Sequence, residues 1–273
     1  MRNLLSANFL RLRKSKLFWG LLLLMSALGA ILAFNYYQMN QQERFPLDGA
    51  FFTYSILSCI VTAVFVPLFF GAEYSGHTIR NKVSAGLPRP LIYAANLLTA
   101  IAASLLFCAA YMAAVAVVGV PLVGPIEMDA APAALITLGS LAAVAALCAI
   151  FIFVAMACDR KSLSAAACVL GVFLLLFASI YLRSRLLSPE YLNGSWNTKG
   201  EFIPGEPMPN PEYLGGAQRA VFEVLYALLP TSQAIEFASQ QTQDPYLMAL
   251  YSATVIVLST GIGISLFRRK DLK

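Results

Sequence analysis

Six apolar stretches, each long enough to cross a bilayer, occupy most of the chain: Leu17 to Tyr36, Ala50 to Ala72, Leu91 to Val120, Pro132 to Cys158, Leu163 to Leu182 and Tyr246 to Phe267. A hydrocarbon core about 30 Å thick needs roughly 20 apolar helical residues, and backbone in lipid must satisfy its own hydrogen bonds. Runs of this length therefore predict a bundle of spanning helices. Composition agrees, with 59% hydrophobic and only 12% charged residues, against about a quarter charged in soluble domains. The net charge of +5 then reports topology, not affinity for nucleic acid.

The sidedness follows from lysine and arginine near the span ends. With the N-terminus inside, all of the 19 basic residues except Arg44, Arg183, Arg185, Lys199 and Arg219 fall on the cytoplasmic side. Of the 14 acidic residues, all but Glu73, Asp159 and Asp271 fall outside. Both chain ends are thus expected in the cytoplasm of a multi-pass protein of the cell membrane. Arg183 and Arg185, just beyond the fifth span, run against the pattern. The first span reads as retained, since Leu17 to Tyr36 exceeds the apolar region of a signal peptide and lacks a small-residue cleavage site.

The expected organisation is a single transmembrane domain over 1–273, all-α, with an amphipathic helix at 1–16 and spans one to five within 17–182. An extracellular segment follows at 183–245, then span six at 246–267 and a tail at 268–273. Residues 1–16 interleave Leu4, Leu5, Phe9, Leu10 and Leu12 with Arg2, Arg11, Arg13, Lys14 and Lys16, which suits a helix on the inner leaflet. A plain basic flank is the alternative. Asp48 and Ser162 are candidate caps of the second and fifth spans, Pro90 and Pro132 fit first turns, and Asp244-Pro245 opens the sixth. Pro67 is expected to kink the second span.

Prolines 189, 204, 207, 209 and 211 make 183–216 read as an irregular excursion. Residues 217–241 offer two short helical pieces broken at Pro230, too polar at Glu223, Gln233 and Glu236 to span. They suit a re-entrant hairpin from the outer side, with Glu223 and Pro230 at an outer gate, provided protein buries the broken backbone. An amphipathic pair resting on the surface is the other reading. Gly139 with Ala143, and Ser259 with Gly263, stand at the small-xxx-small interval that permits close helix approach.

No span carries a central charge, which argues against a proton-coupled carrier. No phosphate-binding loop of the G-x-x-x-x-G-K-[ST] type occurs, and no interval between spans could house a nucleotide-hydrolysing domain. His77 has no ligand-spaced partner, so no metal site and no catalytic set is expected. Cys59, Cys108, Cys148, Cys158 and Cys168 sit in or beside spans, without a CxxC pair, and read as packing residues. Asn193-Gly194-Ser195 fits a glycosylation triplet.

The most informative loop joins the second and third spans and reads EYSGHTIRNKVSAGLPRP from Glu73 to Pro90. Its charges ahead of Gly86 and Pro88 fit a short helix parallel to the membrane. Here the chain resembles the permease subunits of the type 2 ABC (ATP-binding cassette) transporters, many of which carry a glutamate, a Gly-Thr pair, then IRNK and a proline- or arginine-containing start of the third span. The resemblance extends to the six-span layout, the long outer segment before the last span and the FRRKDLK tail. His77 stands where that family usually has the glycine before Thr78, with Gly76 one residue early.

The resemblance implies that this loop is a coupling helix seated on a separate ATPase subunit through Glu73, Gly76, Thr78, Ile79, Arg80 and Asn81. The N-terminal helix would be the connecting helix beside it, with Arg11 or Arg13 pairing with Glu73. It further implies a second permease chain, identical or related, and a cargo route along the seam lined by the second and fifth spans. Those spans offer Tyr54, Ser55, Ser58, Thr62 and Phe65, and Phe173, Phe177, Ser179 and Tyr181, a mildly polar aromatic wall suited to an amphipathic substrate such as an antimicrobial peptide, a drug or a lipid. ATP and magnesium would be bound by the partner ATPase, leaving no cofactor and no enzymatic activity in this chain. A receptor or scaffold that binds a ligand through 183–244 and signals through the inner loop is the rival of a different class.

Overall fold

The computed structural model describes residues 1–41, 44–76, 78–196, 202–242 and 244–270. Six of its helices are long and apolar enough to span. They are α2 (Lys16–Met39), the run α3 (Asp48–Phe52) with α4 (Tyr54–Ser75), α6 (Arg89–Val123), α7 (Ala130–Ala157), α8 (Lys161–Leu187) and α11 (Pro245–Arg269). Each covers an expected stretch to within a residue, and α4 stays helical through Pro67. Six antiparallel crossings leave α1 (Arg2–Arg13), the short helix α5 (Thr78–Ser84) and the end of α11 on one face of the bundle. We call this the basic face.

Two helices form the axis of the bundle. In their most apolar stretches the second span is 67% buried and α7 61%, against 22% for α2 and α8 and 11% for α11. The outer helices pack on this axis, with α2 along α6, α11 along α7, and α4 between α7 and α8. Close approach depends on glycine where backbones meet: a Cβ at Gly29 of α2 would stand 2.7 Å from the Tyr111 carbonyl oxygen of α6. Small-residue contact of this kind drives helix association where water offers no hydrophobic gain. The Gly139 interval serves the same end within the subunit, because a Cβ there would lie 2.5 Å from the Phe237 ring.

Polar side chains inside the spans find partners in protein. Thr62 Oγ1 donates to Ser104 Oγ at 3.2 Å, the Tyr111 hydroxyl donates to the Ala50 carbonyl at 2.8 Å, and Tyr54 pairs with Ser140. Four of the five free cysteines are buried.

Two expected caps are corrected. Asp48 does not cap by side chain; its buried carboxylate accepts the backbone N–H groups of Glu127 and Met128 at 3.0 and 2.9 Å and so ties the α6–α7 connection to the start of α3. Ser162 lies inside α8, whose N-cap is Arg160. The excursion is also more regular than its composition suggests. Strands β1 (Tyr191–Trp196) and β2 (Phe202–Pro209) pair antiparallel from Tyr191 opposite Pro209 to Trp196 opposite Phe202, with an irregularity between Leu192 and Gly194. A two-stranded ribbon has two free edges, so its prolines need not donate to a ladder. The glycosylation triplet lies in β1.

Beyond the ribbon, α9 (Gly216–Leu228) and α10 (Pro230–Ser239) form a hairpin turned at Leu229. Helix α10 inserts among α4, α7 and α8, burying Pro230, Thr231, Ser232, Gln233, Ala234 and Phe237. Its tip is pinned by hydroxyls: Thr231 Oγ1 donates to the Leu175 carbonyl at 3.1 Å, and Ser232 Oγ donates to Ser179 Oγ at 2.8 Å. Leu175 lies twelve residues before the end of α8, about 18 Å along its axis at 1.5 Å per residue. Arg183, anomalous by the charge pattern, is consumed here. It donates to Gln241 Oε1 at 2.6 Å and faces Glu236 at 3.7 Å, while Arg185 faces Glu212 at 3.9 Å.

Candidate coupling site on the basic face

Glu73 stands in the last turn of the axial helix α4 and has a wholly buried side chain. An isolated carboxylate there would be untenable, and the surrounding elements supply its partners. Arg11 Nη1 of α1 donates to Glu73 Oε1, and Lys82 Nζ of α5 donates to the same oxygen at 2.9 Å. Asn96 Nδ2 of α6 donates to Oε2 at 3.3 Å. The amide is oriented in turn by Asn8 of α1, whose Nδ2 donates to Asn96 Oδ1 at 2.9 Å and to Thr99 Oγ1 at 3.4 Å. One carboxylate thus joins α4 to α1, α5 and α6.

Local sequence explains why these groups converge. Leu4, Asn8 and Leu12 recur every fourth residue and form the buried face of α1 against α6. That register sets Arg11 beside the end of α4, its guanidinium 4.1 Å above the Phe69 ring. The chain leaves α4 through Gly76 and starts α5 at Thr78, whose Oγ1 donates to the Glu73 carbonyl at 3.2 Å. Ile79 is buried beneath α5, while Thr78, Arg80, Asn81 and Ser84 face outward. Helix α5 stops in a Schellman arrangement, with Gly86 at φ +79 and bonds from Leu87 N to the Lys82 carbonyl (3.2 Å) and from Gly86 N to the Val83 carbonyl (3.0 Å). A positive φ here is the reason for glycine.

Two other cations on this face close helix ends. Arg89 Nη1 donates to the carbonyls of Phe267, Arg268 and Lys270, and Lys270 Nζ donates to those of Met156 and Ala157 at the end of α7. Both satisfy orphan carbonyls and complement the helix dipole.

The residues singled out from sequence therefore divide. Glu73, Gly76, Thr78, Ile79, Arg80, Asn81 and Arg11 come together in one region. Arg13 does not join them; its side chain is exposed, and its carbonyl accepts from Trp19 Nε1 at 2.8 Å. His77, and with it the displaced glycine pattern, lies outside the described residues. Tyr54, Ser55, Ser58, Thr62 and Phe65 face the protomer interior instead of an open surface. The reason is that span hydroxyls seek protein partners: Ser55 Oγ donates to the Phe52 and Ala234 carbonyls at 2.9 and 2.7 Å, and Ser58 Oγ to the Ser55 carbonyl at 2.8 Å. Phe173, Phe177 and Tyr181 are exposed along one face of α8. Glu223 is exposed and accepts from Arg219 Nε at 2.9 Å, while Pro230 opens α10.

Sequence reasoning missed Asn8, Asn96 and Thr99. A usable signal existed, since an asparagine on the apolar stripe of a helix and another within an apolar span both demand partners.

The family described as ABC-2 family transporter protein matches residues 4–181, from α1 and the Glu73 cluster through the fifth span. The chain belongs to this family. It is accordingly an ABC transporter permease, a transmembrane component that associates with an ABC ATPase subunit, and a multi-pass membrane protein. No curated protein matches the chain. In this ABC-2 permease the β ribbon, the α9–α10 hairpin and α11 lie beyond the matched residues.

Proposed function

We propose that this permease is the membrane-spanning half of an ATP-driven exporter in the cytoplasmic membrane, moving an amphipathic cargo such as an antimicrobial peptide, drug or lipid. ATP and magnesium are bound by the partner ATPase, and the basic face is cytoplasmic. The observation that carries this reading is the buried Glu73 held between Arg11 of α1 and Lys82 of α5. A charge so placed holds its geometry only while its partners stay, so displacement of α5 by a moving ATPase is transmitted to α1, α4 and α6 together. The outward row of Thr78, Arg80 and Asn81 is the docking face for that subunit.

A second permease chain packs against α8. Supporting this are Phe173, Phe177 and Tyr181, spaced by four residues and exposed, and the only partly covered strip of the second span at Thr53, Leu57, Ile60, Val64 and Leu68. This strip replaces the interior face of α4 as the second-span wall of the cargo route. The α9–α10 hairpin is re-entrant and closes the outer end.

The test is photocrosslinking. With benzoylphenylalanine at Asn81 or Arg80 in the native host, the adduct should contain an ABC ATPase subunit, whereas Leu170, on the α8 face of Phe177 and Tyr181, should give no ATPase adduct. Capture of a signalling kinase, or equal capture from all three positions, would overturn the reading.

A further inference from the structure

Between the ends of α7 and α11, on the basic face, opens a cleft of about 320 Å³, within the range of roughly 300–1,000 Å³ typical of small-ligand sites. It shares no residue with the Glu73 cluster, which it adjoins through Met156, whose Sδ accepts from Asn96 Nδ2 at 3.8 Å, and its α11 wall lies beyond the family-matched residues. Phe153, Met156, Leu266 and Phe267 make the lining apolar, and Gly263, whose Cβ direction points at the Tyr93 ring, lines it with backbone. The mouth is cationic, formed by Arg269 and Lys270.

The two cations differ in commitment. Lys270 Nζ closes the end of α7 and pairs with Asp159 at 2.8 Å. Arg269 is exposed, and its guanidinium makes no hydrogen bond or ion pair among the described residues. A slot for hydrocarbon beneath an uncommitted guanidinium, at the end of a spanning helix where lipid headgroups lie, selects an anionic amphiphile. Its size admits part of one chain, not a whole two-chain lipid.

We propose that this cleft holds an acyl chain of an anionic phospholipid, with the headgroup phosphate on Arg269. A zwitterionic lipid offers the same chain, but its ammonium group offsets the attraction, so charge sets the preference. The proposal needs neither the ATPase nor the exporter reading.

The experiment is native mass spectrometry of the full chain in detergent, titrated with phosphatidylglycerol or with phosphatidylcholine. The first phosphatidylglycerol should bind about fivefold more tightly than the first phosphatidylcholine. Arg269→Gln should abolish that preference, whereas Arg13→Gln, an exposed cation elsewhere on the same face, should leave it intact. Ala157→Phe, at the exposed mouth of the cleft, should weaken binding of both lipids without changing the circular dichroism spectrum. Equal affinity for the two lipids would overturn the proposal, as would an equal loss in the two arginine variants, which indicates diffuse charge attraction. Displacement by millimolar inorganic phosphate would also overturn it, since the site would then be one for free anions. Because no ATPase enters the measurement, each of these failures leaves the coupling reading intact.

Discussion

At the scale of single residues, the decisive group is a carboxylate that can be neither exposed nor left alone. Glu73→Ala strands Arg11 and Lys82 at a partly buried junction, and removing one member of a buried pair costs about 3–5 kcal/mol. The thermal midpoint of the detergent-solubilised chain should fall accordingly, and adding Arg11→Ala should cost less than the two single changes sum to, with a coupling of about 0.5–3 kcal/mol. Additive effects would show that the two side chains do not act together. Gly139→Ala tests packing instead: its Cβ would press on Phe237 at 2.5 Å, an overpacking penalty of about 1–3 kcal/mol that Phe237→Leu should relieve. The contact between Glu73 and Arg11 was legible in sequence because a basic helix and a glutamate at a span end sit on the same side. The supporting amides were not, since Asn8 and Asn96 are separated by 88 positions and nothing local reveals that their helices meet.

At the scale of elements, the spans were legible almost to their ends, because hydropathy over twenty residues overwhelms local propensity. What sequence could not supply was the facing of each helix. The hydroxyl stripe of α4 at Tyr54, Ser58 and Thr62 looks like a pathway wall when read alone, and it turns inward because α6, α7 and α10 pack around it. The proline-rich excursion likewise hid a β ribbon whose free edges tolerate proline. Arg183 explains the exception to the charge pattern and gives a prediction for the α9–α10 hairpin. Arg183→Ala removes charge-assisted bonds to Ser239 and Gln241, each worth about 1.5–3 kcal/mol. Backbone amides of residues 231–239 should exchange with deuterium at least about a hundredfold faster, while those of α7 are unaffected. Unchanged exchange would mean that the hydroxyl contacts at Ser55 and Ser179 suffice to hold α10.

At the scale of the whole molecule, one polar junction at the basic face ties the axial helix to α1, α5 and α6, and the opposite end of that axis meets the inserted hairpin. On the proposed coupling, motion imposed on α5 would reach both the surface strip of α4 and the packing of α10. Cysteines at Phe173, Phe177 and Tyr181 should crosslink to a second permease chain, whereas one at Leu258 on α11 should not. The central claim, that the Glu73 junction passes ATPase motion to the spans, is tested most directly by vanadate-sensitive ATP hydrolysis in the complex purified from native membranes through a tag on this chain. The parent complex should hydrolyse ATP and respond to cargo. The Glu73→Gln complex should retain its ATPase subunit yet lose the cargo response, whereas an undiminished response in that variant would contradict a coupling role for the junction.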